Sequence, residues 1–240
     1  MFSANLGFLW TELPFLERVA AARAAGFEAV EFHDQAQAED PGALREALAG
    51  TRVMGLNVSM TDQGRAALPG EEAGALEDFR AALAVADAVD AGAIHVMGGR
   101  TGGPEAGRVA AANLSRFADL TDRTLLIEPL CRAAAPGYWL HDPEAAAEVI
   151  ERTGRANVRL MFDAFHVAQE GYDPVEAWER FGPVTGHVQI AHPVTRHEPD
   201  GTLAPFMRAL RTSGWDAPVG AEYRPEGRVE DGLGWREVLA

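Results

Sequence analysis

Four polar side chains each close a short apolar run in the second half of the chain. They are Glu128 in Leu-Leu-Ile-Glu-Pro, Asp163 in Leu-Met-Phe-Asp, Gln189 in His-Val-Gln-Ile and Glu222 in Gly-Ala-Glu-Tyr. A carboxylate after an apolar strand is costly unless it is paired, solvated or bound to a cation. Three carboxylates and one amide oxygen make a hard, oxygen-rich set. It suits a divalent metal such as Mg²⁺ or Mn²⁺, with water or substrate oxygens completing the shell. Zinc suits this ligand type less well. Any one of the four alone reads as a helix cap or an arginine partner. Four in register on consecutive strands read as one metal-centred site.

Other groups fall where a substrate could meet them. His166 follows Asp163 by three residues, and His197 follows Arg196 in Thr-Arg-His-Glu-Pro. Both lie past a strand end, where loops carry function. The planar fork of Arg196 matches a carboxylate, with a salt bridge to a neighbouring acid as an equal alternative. His166, Arg196 and His197 are therefore the substrate-binding candidates. His192 is close enough to Gln189 to face the same mouth. His33 and His95 are weaker candidates, His187 is expected to pack or cap, and His141 to lie at the surface. Tyr138 and Trp139 are candidates for a pocket wall, although core packing is the plainer reading for Trp139. Cys131 reads as a spectator thiol, and no GxSxG elbow supports nucleophilic catalysis.

The elements that must position these groups alternate. Strands are expected at about Phe2–Phe8, Glu28–Phe32, Arg52–Ser59, Ala93–Met97, Thr124–Glu128, Asn157–Asp163, Thr185–Ala191 and Val219–Glu222. Several are almost continuously apolar, as expected for parallel strands covered on both faces. Helical spacing recurs in Leu76, Phe79, Leu83 and Ala86, and again in Leu203, Phe206, Met207 and Leu210. Asp40-Pro41, Asp142-Pro143 and Asp173-Pro174 each place an N-cap acid before a first-turn proline. Gly26 is a plausible C-cap. Eight strands with helices between them imply a single-domain (β/α)8 TIM barrel over residues 1–240, with a short final helix after Trp235. An open doubly wound sheet is the alternative. The glycine-rich Gly98–Gly107 stretch lacks phosphate-loop spacing and reads as a strand-to-helix loop.

Composition narrows the partners. With 21 Lys+Arg against 36 Asp+Glu the net charge is −15, which disfavours nucleic acid. A single cysteine excludes an intrachain disulfide and a cysteine zinc cluster. No run approaches the ~20 apolar residues of a membrane span, and Met1–Trp10 reads as a strand and not a leader. A cytoplasmic protein with a small-molecule partner is expected, and a homo-oligomer is left open.

Several segments together resemble the hydroxypyruvate isomerase family of xylose-isomerase-like barrels. They include Leu13-Pro-Phe-Leu-Glu-Arg, Gly26-Phe-Glu-Ala-Val-Glu-Phe, Leu125-Leu-Ile-Glu-Pro-Leu, Gly186-His-Val-Gln-Ile-Ala, Arg196-His-Glu-Pro and Glu222-Tyr-Arg-Pro. The resemblance is collinear over almost the whole chain. It implies a divalent metal held by Glu128, Asp163, Gln189 and Glu222, with Glu128 and Glu222 as the acid/base pair. The implied reaction interconverts hydroxypyruvate and tartronate semialdehyde (2-hydroxy-3-oxopropanoate) through an enediolate. A 2-oxo-tetronate isomerase, a ketose 3-epimerase and a non-catalytic sugar-acid-binding barrel are the alternatives. The chain departs from the family pattern at Cys131, where asparagine is usual, and at His33-Asp-Gln-Ala-Gln, where an apolar and aromatic segment is common. The segment between Asn57 and Ala67 and the stretch after Arg196-His-Glu-Pro are both shortened. These changes spare the metal set and bear on substrate choice.

Overall fold

The computed structural model describes residues 1–240. Eight parallel strands close on themselves in sequence order, β1 pairing with β8. They are β1 Phe2–Asn5, β2 Ala29–Phe32, β3 Arg52–Asn57, β4 Ala93–His95, β5 Thr124–Ile127, β6 Val158–Asp163, β7 Thr185–Ile190 and β8 Val219–Ala221. Each expected strand is present, but most stop one to three residues early, so Glu128 and Glu222 stand just beyond the last ladder residue. The open-sheet alternative is excluded by closure.

The helices are α1 Phe15–Ala24, α2 Pro41–Leu48, α3 Glu72–Val89, α4 Ala106–Ala118, α5 Pro143–Thr153, α6 Ala164–Gln169, α7 Pro174–Phe181, α8 Ala204–Thr212 and α9 Trp235–Leu239. The three Asp-Pro starts behave as the sequence implies. Asp40, Asp142 and Asp173 each accept backbone N–H bonds from the first turn of α2, α5 and α7, a cap that contributes about 1 kcal/mol. Gly26, at φ 80°, ends α1. Its N–H donates to Arg23 and that of Phe27 donates to Ala22, the paired bonds that satisfy the last carbonyls of a helix. The final helix, α9, is a short one of 5 residues.

The main core lies between strands and helices, where Phe79 stacks on Phe117 and Phe162 on Phe206. Inside the barrel the two halves differ. Ala93, Leu126 and Met161 form a small apolar cluster of their own. Opposite them Ser3, Glu31, His187 and Gln189 are buried and polar. Alternation explains this: inward positions are every second residue of a strand, so Ser3 and Asn5, and His187 and Gln189, point the same way.

Candidate active site

The polar half of the barrel rises to a cleft of about 200 Å³ whose lining includes Glu128, His166, Arg196 and Glu222. A larger groove of about 730 Å³ runs between α7 and α8 beside Trp178 and Trp215. It lies on the helical shell, away from the strand ends where barrel chemistry is built.

Strand register sets the floor of the cleft. Asp163 pairs with Gln189 across β6 and β7, and Gln189 with Gly220 on β8. Asp163 has two jobs. Its Oδ1 accepts the Phe165 N–H at 2.8 Å and so caps α6, while Oδ2 is buried with no hydrogen-bond partner. Glu128 Oε1 and Gln189 Oε1 are buried and unpartnered as well. Native proteins satisfy most buried polar atoms, so three such oxygens at one end of a barrel fit a cation. Among acids, histidines and the cysteine, Glu128, Asp163 and His166 have ligand-type atoms within 4.8 Å of one another.

Glu222 is held differently. Arg196 donates from Nη2 to its Oε2 at 2.7 Å, and Asn5 donates to its Oε1 at 3.0 Å, with His33 Nε2 at 3.3 Å. Arg196 Nη2 also stands 3.6 Å from Asp163 Oδ2. Its guanidinium lies over the rings of Phe8 and Phe165 at 5.0 and 4.9 Å. The residue adopts φ 60°, a left-handed conformation that costs a non-glycine residue energy and recurs at functional loops. Its carbonyl accepts the Arg224 N–H at 2.8 Å, which ties the loop after β7 to the loop after β8.

These contacts spread the acidities apart. Burial, and then repulsion from Glu222 and Asp163, pushes the Glu128 carboxyl well above the usual range. Burial raises Asp163 to about 7 against the pull of Arg196. Burial opposes ionisation of Glu222 also, but Arg196 and His33 outweigh it and bring that group to about 2. Burial, with Arg196 nearby, lowers His166 to about 3, so the ring is neutral. The Cys131 backbone N–H donates to His166 Nδ1 at 3.1 Å, which leaves the ring proton on Nε2. That nitrogen lies 3.6 Å from Asp163 Oδ2 and 3.8 Å from Glu128 Oε1. His166 therefore offers the cleft a proton donor and not a lone pair.

Comparison with known proteins agrees with this architecture. The family model described as "Xylose isomerase-like TIM barrel" matches residues 19–239. The chain belongs to that family. Among relatives within it, the 2-oxo-tetronate isomerase of Cupriavidus necator is 35% identical, over 98% of this chain and 96% of that one. The human protein named "Putative hydroxypyruvate isomerase" is 36% identical over 98% and 93%. A crystal structure titled AP endonuclease, family 2, from Brucella melitensis superposes with a TM-score of 0.94 at 31% identity, covering 98% and 97%. The chain is thus an isomerase-like enzyme of the xylose-isomerase-like barrels, similar to hydroxypyruvate and 2-oxo-tetronate isomerases.

Of the residues the sequence singles out, this family barrel brings Glu128, Asp163, His166, Gln189, Arg196 and Glu222 to one end. It does not bring His197 there: Nδ1 lies 2.8 Å from the Arg224 carbonyl, the ring is partly exposed, and it braces the loop. His192 is 3.7 Å from Asp200, away from the cleft lining. His141 is half-buried beside the Leu130 carbonyl and not on the surface. His33 and His95 do more than their position suggests, since both line the cleft, His95 Nε2 lying 3.7 Å from Glu128. Tyr138 is buried and accepts the Gly98 N–H at 3.2 Å. Asn5, Glu31 and Arg224 were not singled out. The alternation of Ser3 and Asn5, and an acid inside Ala-Val-Glu31-Phe, were the available signals.

Proposed function

We propose that this chain is a metal-dependent isomerase of a small sugar acid, converting hydroxypyruvate to 2-hydroxy-3-oxopropanoate. Glu128, Asp163, Gln189 and Glu222 would hold a divalent ion, Mg²⁺ or Mn²⁺. The observation that carries this reading is the set of unpartnered buried oxygens on Glu128, Asp163 and Gln189, beside a Glu222 already paired with a cationic group. When bound, the ion supplies Lewis-acid stabilisation of negative charge developing on the substrate oxygens.

The residues do the rest. A proton leaves C3 of hydroxypyruvate to a carboxylate, giving an enediolate, and C2 receives one from a carboxylic acid. The C3 hydroxyl passes its O–H proton to the C2 oxygen, so C3 becomes the aldehyde and the C2 carbonyl becomes the new hydroxyl. Glu128 and Glu222 are the pair, acting by general acid–base transfer. Arg196 anchors the substrate carboxylate, and His166 Nε2–H donates to a substrate oxygen. An arginine in the cleft favours an acid over a neutral ketose.

The C. necator relative, named a 2-oxo-tetronate isomerase, supports a four-carbon 2-oxo-tetronate on the same site as the second reading, since the same proton exchange runs on either 2-oxo acid. A nucleic-acid substrate is disfavoured by the net charge of −15. The test is metal analysis together with turnover. Wild type should retain one ion per chain and convert hydroxypyruvate, and Asp163→Asn should lose both. Conversion at the wild-type rate by protein stripped of metal would contradict the reading.

A further inference from the structure

Below the cleft floor lies a carboxylate that the chemistry above does not use. Glu31 is buried on β2 at 4% exposure. Ser3 donates to its Oε2 at 2.9 Å, and His187 Nε2 lies 2.7 Å from the same atom. Gln189 Nε2 donates to Oε1 at 2.7 Å, with Asn5 Nδ2 at 3.3 Å. Asn5 spans from this carboxylate to Glu222. The space is shaped for the group. A Cβ on Gly220 would stand 2.5 and 2.7 Å from the two Glu31 oxygens, so β8 leaves this inward position bare.

The chemistry of an amide makes the contact directional. A glutamine side chain presents an oxygen on one side and two N–H donors on the other, and the two orientations have nearly the same shape. An ionised carboxylate only accepts. It therefore draws Nε2 of Gln189 and turns Oε1 away, and Oε1 is the atom left buried without a partner. Metal ligands are commonly oriented by such outer contacts.

We propose that Glu31 is a positioning residue: it fixes the Gln189 amide so that its oxygen, and not its NH2, faces the cation. This rests on the metal reading above. It differs from that reading in placing part of the metal affinity on a residue that never touches the ion.

The test is Mn²⁺ affinity of stripped protein, by calorimetry and by loss of the free-ion EPR signal, with thermal melting as the folding control. Glu31→Leu removes both acceptors. It should weaken Mn²⁺ binding by about ten- to a hundredfold. Gln189→Leu should weaken it similarly, and the double variant should bind no worse than Gln189→Leu alone, because the two act through one ligand. Independent, additive losses would overturn the proposal, as would wild-type affinity in a folded Glu31→Leu protein. If Glu31→Leu does not fold, Gly220→Ala decides. Its methyl displaces the carboxylate and keeps the charge, so weaker Mn²⁺ binding supports the proposal and unchanged binding overturns it. Failure of the wild-type protein itself to bind Mn²⁺ would instead remove the metal reading.

Discussion

Arg196 Nη2 lies 2.7 Å from Glu222 Oε2 and 3.6 Å from Asp163 Oδ2. One guanidinium thus neutralises two of the acids assigned to the metal. Burial works against its charge, but Glu222, Asp163 and Glu128 raise its pKa above that of a free arginine.

Removing that charge should cost the metal-free protein most. In Arg196→Leu the buried acids lose their counter-cation, and breaking such a pair costs about 3 kcal/mol or more. For a chain of this size that is roughly 6–12 °C in Tm. Melting in EDTA should show the loss, and saturating Mn²⁺ should recover much of it. The same loss in both conditions would contradict the pairing of arginine and metal on shared oxygens. The variant should also raise KM for hydroxypyruvate.

Asp163 separates structure from chemistry atom by atom. Asp163→Asn keeps an oxygen for the Phe165 N–H, so Tm should hold while the unpartnered Oδ2 is lost and Mn²⁺ binding weakens. Asp163→Ala removes the cap as well and should cost about 1 kcal/mol more. Equal melting of Asn and Ala variants would remove the capping role.

Glu222→Gln should keep the fold and lose turnover by about 10²- to 10⁴-fold, the range for a general acid or base. Circular dichroism checks the first and initial rates the second. Near wild-type rates would remove Glu222 from the proton transfer.

The acidities give a pH dependence with a definite sign. Asp163 ionises at about 7 in the folded, metal-free protein against 3.8 ordinarily. Between those values the folded state holds the extra proton, so its contribution to stability falls as pH rises from about 4 to about 7. Glu222, lowered from 4.5 to about 2, acts below that window: its contribution is present above pH 4.5 and is lost as pH falls towards 2. Melting in EDTA should therefore show a decline towards neutral pH that is shallower in Asp163→Asn. An equal slope in the two proteins would contradict the assignment.

The barrel was legible because its signals are local. Asp-Pro starts, the Gly26 stop and short apolar runs each report on a few neighbouring residues. The metal-site candidates were legible because Glu128, Asp163 and Glu222 interrupt apolar sequence at a strand end. Glu31 was hidden. It sits within a strand, and although Ser3 lies on the neighbouring β1, its partners His187 and Gln189 come from β7, far along the chain, and reach it only when β1 closes on β8. His33 was undervalued for the same reason, since its link to Glu222 joins the ends of β2 and β8, which become near neighbours only on closure. His197 was overvalued because proximity to Arg196 in sequence does not fix which way a ring turns on a loop.

A proton NMR time course in D2O distinguishes metal-dependent proton transfer from any other route. Protein stripped with EDTA should leave hydroxypyruvate unchanged. Added Mg²⁺ or Mn²⁺ should start conversion to 2-hydroxy-3-oxopropanoate with solvent deuterium at the newly protonated carbon, and a parallel run with a 2-oxo-tetronate shows which acid turns over faster. No conversion of either acid with either ion, or conversion that proceeds equally in EDTA, would contradict the account.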